Sequence, residues 1–515
     1  MDVLTLGWKV TNSLDPGYWL SAGARPGGQS DDELVSVPAS SIAGHTAIIA
    51  QSGSGKSYFL GRMIEELMLH TKARCLVLDP NADFRRMHEV QPESLWDDAA
   101  YDARTRVGRL PHEASRNDFS QQWSTIPIAI RSNSLGNPPI YLPLRVPLAS
   151  LSADFLSDPI HLNGQSGMIH CHSFLQALGP LIELKSVGDR KARDVLDTVE
   201  MLTEQAVANP QREEKLAALL ELEYDVKSII EGRSKLESVL SASGHEPSTL
   251  IPFYGDLLIQ DAAHLELAIH DRKQIALRAL KYLDRTSARH YFSQLRQYQA
   301  EGILEPSVGY DPNWLPRRLE IIDLPSIATR RSRLLALNAI LAGEWSRLRA
   351  QWASALSQAP DHDRRVPLFI IADEAHNLMP KTPLSDLELR LRDQFRSIVA
   401  EGRKYGLFLI IVTQRPDKLD PWVLGECDNK ALLKLSGPHV LTMARTLLGL
   451  NATPSRHLDR VSELDPGRVL LAGRWSPEPQ VCLCAARRTV EGGRNLRPEY
   501  WANPMSSTLA LAAVP

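Results

Sequence analysis

A short loop with residues suited to phosphate binding lies near the amino end of the sequence. Residues 50–57 read Ala-Gln-Ser-Gly-Ser-Gly-Lys-Ser and meet the pattern G-x-x-x-x-G-K-[ST] except at Ala50, where the pattern has glycine. The two glycines let backbone N–H groups curl around phosphate oxygens, because no Cβ is in the way. Lys56 places a positive charge near the β- and γ-phosphates, and the Ser57 hydroxyl is a Mg²⁺ ligand. The residues that we expect to bind ATP are Gln51, Ser52, Gly53, Ser54, Gly55, Lys56, Ser57 and Tyr58.

A second segment, LFIIADEAH at 368–376, places two carboxylates after a run of apolar residues. We expect Asp373 to contact the Mg²⁺ shell and Glu374 to polarise the attacking water. The alternative is an acidic pair that only caps the next helix. The letters DEAH are also the signature of another helicase superfamily. The separation of 317 positions from Lys56 to Asp373 is too long for the compact first domain of that superfamily.

Further polar residues follow on the next apolar segment. Gln414 stands at the end of LFLIIVT (407–413), where it is placed to sense the γ-phosphate. Arg403 precedes the same segment and could reach a neighbouring subunit's nucleotide, with Arg396 and Lys404 as rival candidates. By themselves, these side chains would more often be solvated surface residues.

The apolar segments around these residues predict an α/β fold. TAIIA (46–50), a helical pattern from Tyr58 to Leu69 and CLVLD (75–79) form a strand–helix–strand unit, which implies a parallel sheet covered on both faces. After a mostly helical stretch, LEIIDL (319–324) and the two later apolar segments again show the pattern of buried strands that alternate with helices. One sheet interrupted by an insertion is therefore expected.

The expected domain organisation has five parts. Alternating residues such as Trp8 indicate short strands in a β appendage at the amino end, and we consider Trp8 and Tyr18 as aromatic anchors for a partner. Trp8 could equally pack the appendage onto its own core. The predicted parts are the β appendage (1–43), the first part of the ATPase core (44–149), the helical insertion (150–315), the second part of the core (316–490) and a carboxyl-terminal tail (491–515).

Composition limits the class of protein. The 515 residues carry a net charge of −3, which argues against a monomer that coats DNA but not against a ring with a basic inner surface. No apolar run reaches the roughly 18 residues of a membrane span, and the start lacks a signal-peptide layout, so a cytoplasmic protein is expected. Five cysteines fit that compartment, with Cys482 and Cys484 on one face of a strand. The His170-Cys171-His172 cluster reads as structural, because no second ligand pair lies at useful spacing.

With these segments in view, the sequence resembles the HerA branch of the HerA–FtsK superfamily of ring-shaped DNA translocases. The matching stretches cover roughly 44–90 and 316–490 and include HTAIIAQSGSGKSYFLGRMIEEL, LVLDPNADF, LFIIADEAHNL, VAEGRKYGLFLIIVTQRPDKLDPWVL and PGRVLLAGRWSPEP. Asp79 and Asp83 of LVLDPNADF occupy positions where the family usually has Asp and Glu, near the pore or the nucleotide.

The resemblance implies a RecA-like core in a homohexamer, with ATP at subunit interfaces and double-stranded DNA in the pore. It assigns Lys56 and Ser57 to phosphate and metal, Asp373 and Glu374 to metal and water, Gln414 to sensing, and Arg403 to the trans arginine. A separate effector such as a nuclease is the expected partner, in DNA repair or in antiviral defence. Two alternatives stay open, namely an ATP-gated scaffold for a partner enzyme and a VirB4/VirD4-like conjugation or secretion ATPase. The 43 residues before the core are fewer than the family's amino-terminal barrel, which puts the usual partner docking in doubt.

Overall fold

The computed structural model describes most of the expected core, from the phosphate loop to the strands near the carboxyl end. The described residues are 3–9, 34–93, 115–134, 140–147, 297–305 without 299, 317–356, 363–447 without 364, and 461–492. No helix within these ranges has both the length and the apolar content that a membrane crossing requires.

A twelve-stranded sheet forms the centre of the described structure. Its order is β2-β1-β14-β13-β12-β3-β11-β10-β4-β9-β5-β6, and the strands from β12 to β6 run parallel to one another. The predicted parallel α/β sheet is confirmed. The strands are β1 (Val3–Lys9), β2 (Leu34–Pro38), β3 (Thr46–Ile49), β4 (Arg74–Asp79), β5 (Ile128–Arg131), β6 (Tyr141–Leu142), β7 (Val146–Pro147), β8 (Leu304–Glu305), β9 (Leu319–Asp323), β10 (Leu368–Ala372), β11 (Leu407–Thr413), β12 (Asn429–Leu432), β13 (Arg468–Gly473) and β14 (Ser476–Cys484).

Helices cover both faces of the sheet. Every residue of β3, β4, β10 and β11 is buried, as expected for central parallel strands. Alternate residues face opposite sides, so that Ile48 and Val77 belong to the apolar cluster around the helix at 56–70, whereas Ile49 and Leu78 belong to the cluster around the helices at 330–356 and 386–405. The helices are α1 (Ala39–Ile42), α2 (Lys56–His70), α3 (Arg116–Ser124), α4 (Arg330–Leu356), α5 (Asp386–Tyr405), α6 (Pro421–Gly425) and α7 (Pro438–Leu447).

The strands of the predicted β appendage join the sheet of the core. β1 pairs antiparallel with β14, with Trp8 opposite Leu483, and β2 pairs antiparallel with β1. These strands lengthen one edge of the sheet, which the amino-terminal pattern could not show because strand pairing depends on residues more than 470 positions away. The side chain of Trp8 and all of Tyr18 lie outside the described residues.

Of the predicted insertion (150–315), the structure describes only residues 297–305 without 299. β7 and β8 pair in parallel, so the chain before residue 148 and the chain after residue 303 meet side by side. The remainder of the predicted insertion, including His170, Cys171 and His172, lies outside the described residues, and the five-part division stays a prediction. Cys482 and Cys484 are both buried free thiols on β14.

Candidate nucleotide site

The phosphate loop connects β3 to α2. Gly53 and Gly55 have φ values of 76° and 95°, a left-handed backbone that glycine adopts at little cost. Ala50, which replaces the first glycine of the pattern, is fully buried and donates its N–H to the carbonyl oxygen of Thr413 on β11. A small residue suffices there because the chain only has to leave the strand. The first turn of α2 follows directly, and the backbone N–H groups at the start of a helix are suited to phosphate binding.

Neighbouring segments hold the remaining loop residues. Gln51 donates its N–H to the carbonyl oxygen of Lys434 at 2.9 Å, and the Ser54 hydroxyl donates to the carbonyl oxygen of Gln51 at 2.6 Å. Gly467, in the turn before β13, donates its N–H to the carbonyl oxygen of Ser54 at 3.2 Å. Sequence analysis missed that support, because nothing in residues 465–468 indicates contact with a loop more than 400 positions earlier in the chain. Ser52 is exposed, and Tyr58 is half-buried on the first turn of α2.

Lys56 is buried between the two predicted acidic residues. Its Nζ lies 2.7 Å from Asp373 Oδ1 and 2.5 Å from Glu374 Oε1. Burial alone would favour the neutral amine, but the two carboxylates outweigh it and raise the pKa of Lys56 above its usual value. The ammonium is therefore charged and lies at the site where a phosphate would bind.

Asp373 has the properties of a residue that faces a metal-bound water. It follows β10 and is fully buried. Its Oδ1 accepts from Lys56 and from the Glu374 N–H at 2.9 Å, whereas its Oδ2 is buried without a hydrogen-bond partner among the described residues. An orphaned buried carboxylate oxygen is costly, so a cation or its water would complete this position. Ser57 and Asp373 thus fit the predicted Mg²⁺ site.

Glu374 adopts a conformation that is rare for a residue with a side chain. Its φ and ψ are 45° and 46°, in the left-handed region, which costs about 1–3 kcal/mol and is typical of functional positions. Its Oε1 accepts from Gln414 Nε2 at 2.6 Å. The structure therefore brings Lys56, Glu374 and Gln414 together at one point.

His376 is a site residue to which the sequence analysis assigned no role. Its Nδ1 lies 3.2 Å from Thr413 Oγ1 and 3.5 Å from Glu374 Oε2. Burial lowers the pKa of His376, and the nearby cations Arg415, Lys418 and Lys56 lower it further against the opposing effect of Glu374. The His376 ring therefore links the Glu374 carboxylate to the end of β11. Only the fold reveals this link, since the sequence places His376 and Thr413 far apart.

The segment after β4 lies at the phosphate loop, which is one of its two predicted locations. Ser57 Oγ donates to Asp83 Oδ2 at 2.8 Å. Asp79 is fully buried and accepts backbone N–H groups of Asn81, Asp83 and Phe84. Burial raises the pKa of Asp79 to about 7, and the neighbouring carboxylates of Asp373 and Asp83 add to the effect.

The three basic residues considered for the trans role, Arg396, Arg403 and Lys404, lie away from this site. Arg396 Nη2 binds Asp420 Oδ2 at 2.7 Å, and Lys404 Nζ lies 4.0 Å from the centre of the Trp352 ring. Arg403 is exposed, and its side chain has no hydrogen-bond or ion-pair partner within the described ranges. Arg403 lies at the end of α5, before the first residue of β11, whereas Gln414 follows the last residue of β11. The two residues are therefore at opposite ends of this strand. The structure does not bring Arg403 to its own subunit's site, and its role stays a prediction.

Residues 487–489, near the carboxyl end of the chain, contact the helix that follows the phosphate loop. The fully buried Glu65 of α2 accepts the N–H groups of Arg488 and Thr489 at 2.9 and 2.7 Å, and the Thr489 hydroxyl at 2.7 Å. The buried Arg487 donates to the carbonyl oxygen of Ser57 at 3.3 Å. Sequence analysis assigned these residues no role, because two arginines in a row normally indicate a solvated surface.

Together, the parallel sheet, the phosphate loop at the end of β3 and the acidic pair at the end of β10 define a RecA-like P-loop NTPase. A family model described as "Helicase HerA, central domain" matches residues 31–167. The DNA double-strand break repair helicase HerA of Sulfolobus acidocaldarius is 33% identical over 122 residues, which are 24% of this chain and 23% of that protein. HerA of Saccharolobus solfataricus is 33% identical over 119 residues, 23% of this chain and 22% of that protein. Over these residues the chain is similar to HerA-type ATPases of the HerA–FtsK superfamily.

The matched regions span less than a quarter of the length of these curated relatives. Among solved structures, VirB4 of Thermoanaerobacter pseudethanolicus aligns with 86% of this chain and 89% of its own, at 14% identity and a TM-score of 0.37.

Proposed function

We propose that this protein hydrolyses ATP with Mg²⁺ and uses the energy to move double-stranded DNA through a homohexameric ring. The observation that supports it most is the placement of Lys56, Asp373, Glu374 and Gln414 around one point at the carboxyl edge of a parallel sheet. A phosphate-binding cation, a metal-facing carboxylate, a base and an amide sensor are the groups that phosphoryl transfer to water needs.

Each residue has a separate task in this mechanism. The Lys56 ammonium exchanges its contacts with Asp373 and Glu374 for the β- and γ-phosphates, which frees the Glu374 carboxylate to accept a proton from the attacking water. Gln414 leaves Glu374 Oε1 at the same time and can donate to the γ-phosphate. When bound, Mg²⁺ supplies charge neutralisation across the β- and γ-phosphates.

DNA translocation is tested by the dependence of ATP turnover on duplex DNA. We expect duplex DNA to raise the rate of phosphate release and to bind less tightly as salt increases, because phosphate contacts release counterions. The variant Lys56→Ala serves as the control that removes turnover with and without DNA. A rate that DNA leaves unchanged but a partner protein raises would favour the ATP-gated scaffold over the translocase.

The proposal includes a separate effector protein, such as a nuclease, that docks on the sheet edge formed by β1 and β2. Trp8 and Tyr18 are the proposed aromatic anchors. Deleting β1 would also remove the pairing partner of β14, so the substitutions Trp8→Ala and Tyr18→Ala are sharper tests than truncation. Co-expression with the product of the adjacent gene should show capture by the wild type and loss of capture by these variants at unchanged ATP turnover. Capture by both variants would move the docking surface elsewhere.

A further inference from the structure

The hydroxyl of Ser57 is already oriented by a residue outside the phosphate loop. Ser57 Oγ donates its proton to Asp83 Oδ2 at 2.8 Å. A serine hydroxyl has one proton and two lone pairs. When it ligates a cation through a lone pair, its proton has to point to a different acceptor, and Asp83 is that acceptor here.

Asp373 is the acidic residue expected to lie at the same metal as Ser57, but it does not accept the Ser57 proton. Its Oδ1 is occupied by Lys56 Nζ and by the N–H of Glu374, and its Oδ2 has no partner in the part of the chain that the structure describes. Asp373 lies beside β4, because Ala372 pairs with Leu78 and the Asp373 N–H donates to the carbonyl oxygen of Leu78 at 3.3 Å. The orphaned oxygen therefore belongs to the same edge of the sheet as the segment of Asp83.

The backbone around Asp83 is held in place by two separate groups. Asp79 Oδ1 accepts the Asp83 N–H at 3.1 Å, and the Gly492 N–H donates to the carbonyl oxygen of Asp83 at 2.9 Å. Ala82, just before it, has a φ of 61°, which is unfavourable for a residue with a Cβ. Gly492 is tightly fitted too, because a Cβ there would lie 2.1 Å from the carbonyl oxygen of Ala82. A strained turn with fixed contacts on both sides indicates a function for the side chain that it presents.

We propose that Asp83 is a positioning residue for the catalytic cation. It accepts the Ser57 proton, so that the Ser57 oxygen directs a lone pair to Mg²⁺, and it leaves its second carboxylate oxygen for a metal-bound water. This assignment rests on the proposed function of the nucleotide site. Outer carboxylates of this kind orient the metal ligands and tune their strength.

The test is the affinity for a fluorescent ATP analogue, titrated in Mg²⁺ and again in EDTA, so that it does not depend on turnover. Asp83→Ala should weaken binding in Mg²⁺ by roughly ten- to hundredfold and leave binding in EDTA unchanged. Asp83→Asn keeps an acceptor oxygen but loses the charge, so it should lie between Asp83→Ala and the wild type. Asp83→Glu restores both and should recover most of the Mg²⁺-dependent affinity.

Glu89→Gln is the matched control, because it removes one charge from the same segment at a surface ion pair with Arg86. It should leave both affinities unchanged. An Asp83→Ala protein that loses affinity equally in Mg²⁺ and EDTA would show that Asp83 only supports the loop, and one that matches the wild type would reject the assignment. If the wild type binds no analogue in Mg²⁺, the proposed nucleotide function fails, and the role of Asp83 fails with it.

Discussion

The carboxylate of Glu374 is held by three different side chains and by an unusual backbone conformation. Lys56 and Gln414 contact Oε1, and His376 lies next to Oε2. In the proposed mechanism Lys56 and Gln414 turn to the phosphates, so that His376 and the backbone conformation hold the carboxylate during the reaction, and a group that is already positioned needs less reorganisation. The same contacts explain why a loss of charge at this residue should affect the chemical step more than binding.

For Glu374→Gln we expect ATP to bind with wild-type affinity and turnover to fall by roughly 10²–10⁴-fold, because an amide cannot accept the proton of the attacking water. The amide oxygen can still accept from Gln414, so the site keeps its shape. Single-turnover hydrolysis and analogue binding separate the two effects. Glu426→Gln, at an exposed position, should change neither. Near-normal turnover in Glu374→Gln would assign the base to another residue.

At the scale of the elements, a buried histidine connects two central strands. His45 precedes β3, and its Nδ1 accepts the N–H of Leu409 on β11 at 3.0 Å. Burial lowers the pKa of His45 to about 4, and the opposing effect of Asp428 is smaller. The unfolded chain therefore takes up a proton between pH 6.5 and 4 that the folded chain cannot bind.

His45 should for this reason make the fold sensitive to acid. Its contribution is complete above pH 6.5 and is lost as the pH falls toward 4, by about 3 kcal/mol at most. In His45→Asn the amide oxygen can still accept from Leu409 but does not titrate, so stability should fall less between pH 7 and pH 4.5. Urea midpoints at these two pH values measure the difference. Equal losses in both proteins would contradict the assignment.

The contact between α2 and the segment near the carboxyl end gives a second prediction at this scale. Glu65→Ala leaves three buried donors of Arg488 and Thr489 without an acceptor, at a cost of about 3 kcal/mol or more. The segment should detach and expose the peptide bonds after Arg487 and Arg488, which are buried in the folded protein.

Limited trypsin digestion followed by mass spectrometry detects that cleavage. Glu65→Gln keeps the acceptor oxygen in the same place, so this variant should stay protected much longer than Glu65→Ala. Cleavage at equal rates in the two variants would show that the hydrogen bonds do not hold the segment.

At the scale of the whole molecule, Arg403 lies too far from the nucleotide site of its own subunit to act there, so that the predicted trans role places it at a neighbouring subunit. Seven residues of β11 separate the end of Arg403's helix from Gln414, a distance of about 20 Å at some 3.3 Å per residue. An arginine side chain cannot bridge that distance to its own nucleotide. A role in catalysis therefore requires a ring in which one subunit completes the site of the next.

Mixed rings test this arrangement. Lys56→Ala and Arg403→Ala proteins should each be inactive alone, and mixing them should restore part of the turnover, because an intact pocket then receives Arg403 from a Lys56-deficient neighbour. Mass spectrometry of differently tagged subunits verifies that the rings have mixed. Verified mixed rings without any turnover would assign the trans role to Arg396 or Lys404, both of which have partners in their own chain.

The sequence by itself determined the parts of the site that lie in continuous segments. The phosphate loop from Ala50 to Ser57, the pair Asp373-Glu374 and the position of Gln414 each follow a buried strand, and parallel strands end at the same edge of a sheet. Their convergence could therefore be predicted without knowledge of the strand order. The same argument predicted the parallel sheet itself.

The tertiary structure decided the contacts between distant segments. Four contacts join positions that no local sequence pattern relates. They are Asp83 with Ser57, His376 with Thr413, Gly467 with the phosphate loop, and Glu65 with residues 488–489. The pairing of β1 with β14 is of the same kind, since it depends on hydrogen bonds between two segments that lie far apart in the sequence. Local propensity and periodicity report which residues become buried, whereas only the packed fold determines which of them meet.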